Sequence, residues 1–95
     1  MEFEWDARKA ESNAAKHRVT FTEAMSVFGD PWELVISDPD HSEGEFRFLS
    51  IGRSSAGRLL VVAYTERESR IRMINAREAT ARERRQYEST HTSRD

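Results

Sequence analysis

The chain has 95 residues, 37% hydrophobic and 34% charged, so one small globular domain is expected and disorder throughout is excluded. It contains no cysteine, which excludes a disulfide scaffold, thiol catalysis and zinc–thiolate sites. The net charge of −2 conceals a split: residues 1–45 carry eleven acids and four bases (−7), residues 46–95 eleven bases and six acids (+5). In chain order, Glu2-Phe3-Glu4-Trp5 alternates polar and apolar and predicts a short strand. Asp6 caps a helix over 7–15 whose apolar positions are all alanine: Ala7, Ala10, Ala14 and Ala15. Thr20-Phe21-Thr22-Glu23 is a capping box, with Glu23 expected to reach back to the Thr20 amide. Phe21, Ala24, Met25 and Phe28 then form one apolar helix face that stops at Gly29 and Pro31.

From Trp32 the period becomes that of strands. Residues 32–37 and 45–53 flank a turn-rich loop, 54–57 make a hairpin loop, and 58–66 is apolar on both faces, which predicts the middle strand. A further strand covers 70–74. Asn75 with Glu78 predicts the cap of a last helix running to about residue 89, so the domain spans 1–89 and 90–95 form a frayed tail. Helices placed before strands predict an α+β fold: an antiparallel meander sheet with helices on one face. The other face is then open, and arginines alternate along three of its strands, which suits an anion. Thirteen of the fifteen bases are arginine, whose planar fork matches phosphate or carboxylate, although GC-rich coding produces the same bias on an ordinary surface. No apolar run approaches the ~20 residues of a membrane span, and the start does not resemble a signal peptide; a soluble cytoplasmic protein with no membrane partner is expected.

Short motifs along the chain resemble those of the BrnT family. They are Trp5-Asp6, Asn13, Lys16-His17 and Val19-Thr20-Phe21 through Asp30-Pro31, then Asp38-Pro39-Asp40-His41, Glu45 with Arg47, and Gly57-Arg58-Leu59-Leu60-Val61-Val62. Tyr64-Thr65-Glu66-Arg67, Arg70-Ile71-Arg72, Ala76-Arg77 and Glu83-Arg84 with Tyr87 complete the set, which covers residues 3–88 in order. The resemblance implies a type II toxin: a small ribonuclease of RelE-like fold that arrests growth. It also implies neutralisation by a BrnA-like antitoxin in a two-plus-two heterotetramer, which meets operator DNA only through the antitoxin. Arg18 stands where the family has glycine after Lys-His, which calls for a different turn geometry, and Asn75 stands where serine is common.

Metal-free RNA cleavage needs a base for the 2′-hydroxyl, cations for the phosphorane charge and an acid for the leaving oxygen. His17 is the histidine within a matched motif: a candidate acid, base or phosphate contact, with a backbone-bonded turn residue as the alternative. Lys16 is a candidate phosphate ligand. Glu45 fits a general base or an orienter of arginine, a plain salt bridge to Arg47 or Arg58 being the alternative. Arg67 and Arg77, each ending an element, fit transition-state phosphate ligands, and Arg47, Arg53 and Arg72 fit RNA-backbone contacts. Arg82, Arg84 and Arg85 suit a solvated or antitoxin-binding face, and Tyr64 and Trp32 suit core packing better than base stacking. Asp38, Asp40 and His41 read as a turn rather than a metal cluster, and there is no glycine-rich phosphate loop, so neither metal nor cofactor is expected. The alternative function is a catalytically inactive binding module, a corepressor whose arginine face grips a DNA-binding partner.

Overall fold

The structure, a computed structural model, describes residues 2–38 and 45–92. Strands β1 (Glu2–Glu4), β2 (Leu34–Ser37), β3 (Arg47–Arg53), β4 (Leu59–Arg67) and β5 (Arg70–Glu78) form one sheet in the order β1-β5-β4-β3-β2. The strand apolar on both faces, β4, occupies the middle, and Leu59 through Thr65 are buried. Strands β2 to β5 form the expected antiparallel meander. The sheet is nevertheless mixed, because β1 pairs parallel to β5, with Phe3 opposite Ile71. Every other element except the last helix lies between β1 and β5, a connection long enough to permit parallel pairing.

Helix α1 (Ala7–His17) starts where the Asp6 carboxylate accepts from the Arg8 and Lys9 amides at 2.8 and 3.1 Å. It runs to His17, two residues beyond the expected end, and closes on Arg18 in the left-handed region at φ 58°. The Arg18 amide bonds the Ala14 carbonyl, so the turn is not the different geometry expected for arginine but the left-handed helix cap that glycine favours. Asn13, 6% exposed, then covers the free edge of β5. Its amide nitrogen donates to the Ala76 and Val19 carbonyls at 2.8 and 3.0 Å, and its oxygen accepts from the Ala76 amide at 3.0 Å.

Helix α2 (Phe21–Met25) and the 3₁₀ turn Ser26–Gly29 pack Phe21, Ala24 and Val27 onto Leu60, Val62, Tyr64, Met73 and Ala76. Tyr64 is core, as expected, between Phe28 and Phe48 with ring centroids 5.0 and 5.6 Å away. The capping box half closes: Thr20 accepts from the Glu23 amide at 3.0 Å, but the Glu23 carboxylate leaves for Arg58 and Ser54. A charge-assisted pair with a guanidinium is stronger than a return bond to an amide.

The last helix departs most from expectation. Strand β5 continues through Asn75 to Glu78, and α3 (Ala81–Thr92) starts five residues later than predicted and extends past residue 89. Its cap is a complete box at Thr80 and Glu83: the Glu83 amide donates to the Thr80 hydroxyl at 3.2 Å and the Thr80 amide to Glu83 at 2.8 Å. Helix α3 also lies on the face expected to be open. Tyr87 packs against Ile51, Leu59 and Val61 there, and its hydroxyl donates to Asp30 at 2.6 Å. Helices therefore cover both faces, though α3 covers only one end of its own.

Candidate active site

The part of that face left open by α3 is legible from strand register. Residues directly opposite on neighbouring strands share a face, so its rows across β3, β4 and β5 run Arg47–Thr65–Arg72, Leu49–Ala63–Asn75 and Ile51–Val61–Arg77. Between the first two rows β5 carries one extra residue, Ile74, a bulge that turns the strand next to α1. Apolar residues floor the middle of this surface and cations line its sides.

Three adjoining hollows follow the surface. One of about 310 Å³ lies against α1 and is lined by Lys9, Asn13, Lys16, His17 and Asn75. The next, about 180 Å³, is lined by Lys9, Glu45, Arg47, Thr65, Arg67 and Arg72. The third, about 290 Å³, is lined by Asp38, Arg47, Leu49, Asn75 and Arg77. Lys9, Arg47 and Asn75 are each shared by two of them, so the three form one continuous concave surface. It brings together Lys16, His17, Glu45, Arg47, Arg67, Arg72 and Arg77.

Arg53 is placed elsewhere, among the residues that meet α3. Its guanidinium donates to the Gly57 carbonyl at 3.2 Å and lies 6.0 Å from the centre of the Tyr87 ring. Trp32 lies in the turn before β2 and is 40% exposed, so it does not serve the core as expected. Arg82, Arg84 and Arg85 project from the exposed side of α3. Asp40 and His41 lie outside the described residues. Among the described residues, no group of three or more His, Cys, Asp or Glu side chains is arranged to hold an ion.

Charge pairing assigns different tasks to similar residues. Glu45 pairs with Arg67, through contacts of 2.6 and 3.1 Å, rather than with Arg47 or Arg58. That guanidinium holds the Glu45 carboxyl below its ordinary value, and the two contacts fix the two side chains against each other. Arg72 is held by Glu4 at 2.7 Å. Arg77 is gripped by both oxygens of Glu83, at 2.7 and 2.8 Å, and ties β5 to α3. Among the described residues, no ion pair engages the side chains of Lys9, Lys16 or His17.

Lys9, Thr65 and Asn75 were not among the residues expected here. Lys9 sits on a polar helix face indistinguishable in sequence from a solvated one, and Asn75 is a strand residue only because the bulge prolongs β5. The Thr65 position could have been found from the alternation of Ala63, Thr65 and Arg67 along the middle strand.

These features define a class: a small α+β protein whose open sheet face gathers arginine, lysine and histidine onto one concave surface. The family described as "Ribonuclease toxin, BrnT, of type II toxin-antitoxin system" matches residues 5–83, and the chain belongs to that family. Its fold is similar to that of the Brucella abortus ribonuclease toxin BrnT, whose crystal structure was determined at 1.1 Å. The two share a TM-score of 0.67 and 22% identity, over 84% of this chain and 97% of that one. No curated protein matches the chain. Membership of a type II toxin family implies RNA as substrate and an antitoxin as partner. No helix among the described residues is long and apolar enough to cross a membrane.

Proposed function

We propose that this chain is a metal-independent endoribonuclease of RelE-like architecture that acts in the cytoplasm and arrests growth. The observation that carries the proposal is the continuous cationic surface, with Lys16 and His17 on its α1 rim and the Arg67–Glu45 pair across it. RNA lies along the face with its phosphates against Arg47 and Arg72. The His17 imidazole takes the proton of the 2′-hydroxyl, whose oxygen attacks the adjacent phosphorus. Arg67, held in orientation by Glu45, and Lys16 balance the charge of the phosphorane as the P–O5′ bond breaks and the 5′-oxygen takes up a proton from water. The products are a 2′,3′-cyclic phosphate and a 5′-hydroxyl. Among the described residues, Glu45 is the glutamate that lines these hollows and it is engaged by Arg67, which supports chemistry run by cations and histidine.

A BrnA-like antitoxin covers this face in a two-plus-two heterotetramer and brings the assembly to operator DNA. Inducible expression tests both halves of the proposal. The chain is expected to arrest growth, and a Lys16→Ala/His17→Ala variant or co-expression of a BrnA-like antitoxin to relieve it. Undiminished arrest by a folded double variant would remove the α1 rim from the mechanism.

A further inference from the structure

Thr65 is buried, and its hydroxyl oxygen has no hydrogen-bond partner among the described residues. The position is on the middle strand, where valine would have nearly the same shape. Burying a hydroxyl without a partner disfavours folding, whereas valine at the same place does not. Thr65 also lines the 180 Å³ hollow, and its directly opposed neighbours are Arg47 on one side and Arg72 on the other. Lys9 and Arg67 line the same hollow. An uncommitted hydroxyl between two guanidiniums is a donor set for a tetrahedral oxyanion: two charged forks and one short O–H.

We propose that Thr65 is a phosphate-binding residue. Its hydroxyl donates a hydrogen bond to a non-bridging oxygen of an RNA phosphodiester seated between Arg47 and Arg72. This subsite neighbours the hollow of Lys16 and His17 and holds the phosphate next to the scissile one. The proposal rests on the ribonuclease reading for the identity of the ligand, but the anion site itself is testable without cleavage.

The test compares wild type, Thr65→Val and Thr65→Ser for calorimetric binding of inorganic phosphate and of a 2′-O-methyl RNA oligonucleotide, which has no attacking hydroxyl. Thermal melting is measured in parallel. Thr65→Val is expected to bind both ligands roughly tenfold more weakly while melting no lower than wild type, and Thr65→Ser to bind as wild type does. A wild type that binds no phosphate overturns the proposal, and so does a Thr65→Val protein that binds normally, melts several degrees lower or fails to fold. RNA cleavage by a Thr65→Val protein with wild-type phosphate affinity sinks the Thr65 assignment alone. A chain that cleaves no RNA but loses phosphate with Thr65→Val keeps the anion site and loses the ribonuclease reading.

Discussion

Arg77 and Glu83 meet through two parallel hydrogen bonds, of 2.7 and 2.8 Å, and the same carboxylate accepts from the Thr80 amide. One glutamate therefore closes the cap of α3 and fastens that helix to β5. The arginine that sequence places as a free transition-state ligand is also the latch that keeps α3 over one end of the sheet and leaves the other end open.

The latch has a pH signature. Arg77 first of all, and the Thr80 amide with it, hold the Glu83 carboxyl down at about 2, against an ordinary 4.5. A depressed carboxylate contributes stability that is full above its unfolded value and lost as pH falls from there toward 2. Glu83→Gln is expected to cost about 1–2 kcal/mol at neutral pH, between exposed and buried pairs because Arg77 is partly solvated. In urea melts the difference from wild type should shrink as pH falls below about 4.5. A constant difference across that range would contradict the pairing.

Arg67 and Arg77 should separate chemistry from stability. The Arg67–Glu45 pair is exposed, 54% and 38%, so water screens it and Arg67→Ala should barely move the urea midpoint. Its RNA cleavage rate should nonetheless fall by ~100-fold or more, the usual effect of removing one transition-state donor. Arg77→Ala should lower stability and cleavage together. Equal melting of the two variants would contradict these roles.

Asn13 takes the place of a strand at the open edge of β5. Asn13→Ala leaves the Ala76 amide and carbonyl and the Val19 carbonyl without this partner. The expected cost is about 2–4 kcal/mol, read from chemical denaturation. Asn13→Asp should not rescue it, because a carboxylate cannot donate to the two carbonyls.

Arg18 tests backbone strain directly. At φ 58° a side chain is disfavoured and glycine is not. The Arg18 carbonyl still accepts from Arg58 whichever residue is present. Arg18→Gly is expected to raise stability by roughly 0.5–1 kcal/mol in the same melts. A lower melting temperature would contradict the cap geometry.

Much of this fold is legible in the sequence, because Asp6, Thr20, the alternation of β3 and the apolar β4 are local signals. The end of β5 is not. The Ile74 bulge breaks the alternation begun by Ile71 and Met73, so the strand pattern stops at residue 74. Asn75-x-x-Glu78 and Thr80-x-x-Glu83 both match a capping box, and only tertiary pairing with Arg77 selects the second. The same limit applies to the site. Register with Arg47 and Arg72 gives Thr65 its meaning, and the path of α1 along β5 brings Lys9 to the hollow. Arg53 lies apart from the hollows for the converse reason: it alternates correctly with Arg47, but α3 occupies its end of the face.

The central claim is tested most directly by incubating the purified chain with single-stranded RNA of defined sequence in excess EDTA and reading the ends of the products. The expected result is cleavage that resists chelation, leaves 2′,3′-cyclic phosphate and 5′-hydroxyl ends, and is lost in a folded His17→Ala variant. Cleavage that EDTA abolishes, or 3′-hydroxyl ends, would contradict a metal-independent attack by the 2′-hydroxyl.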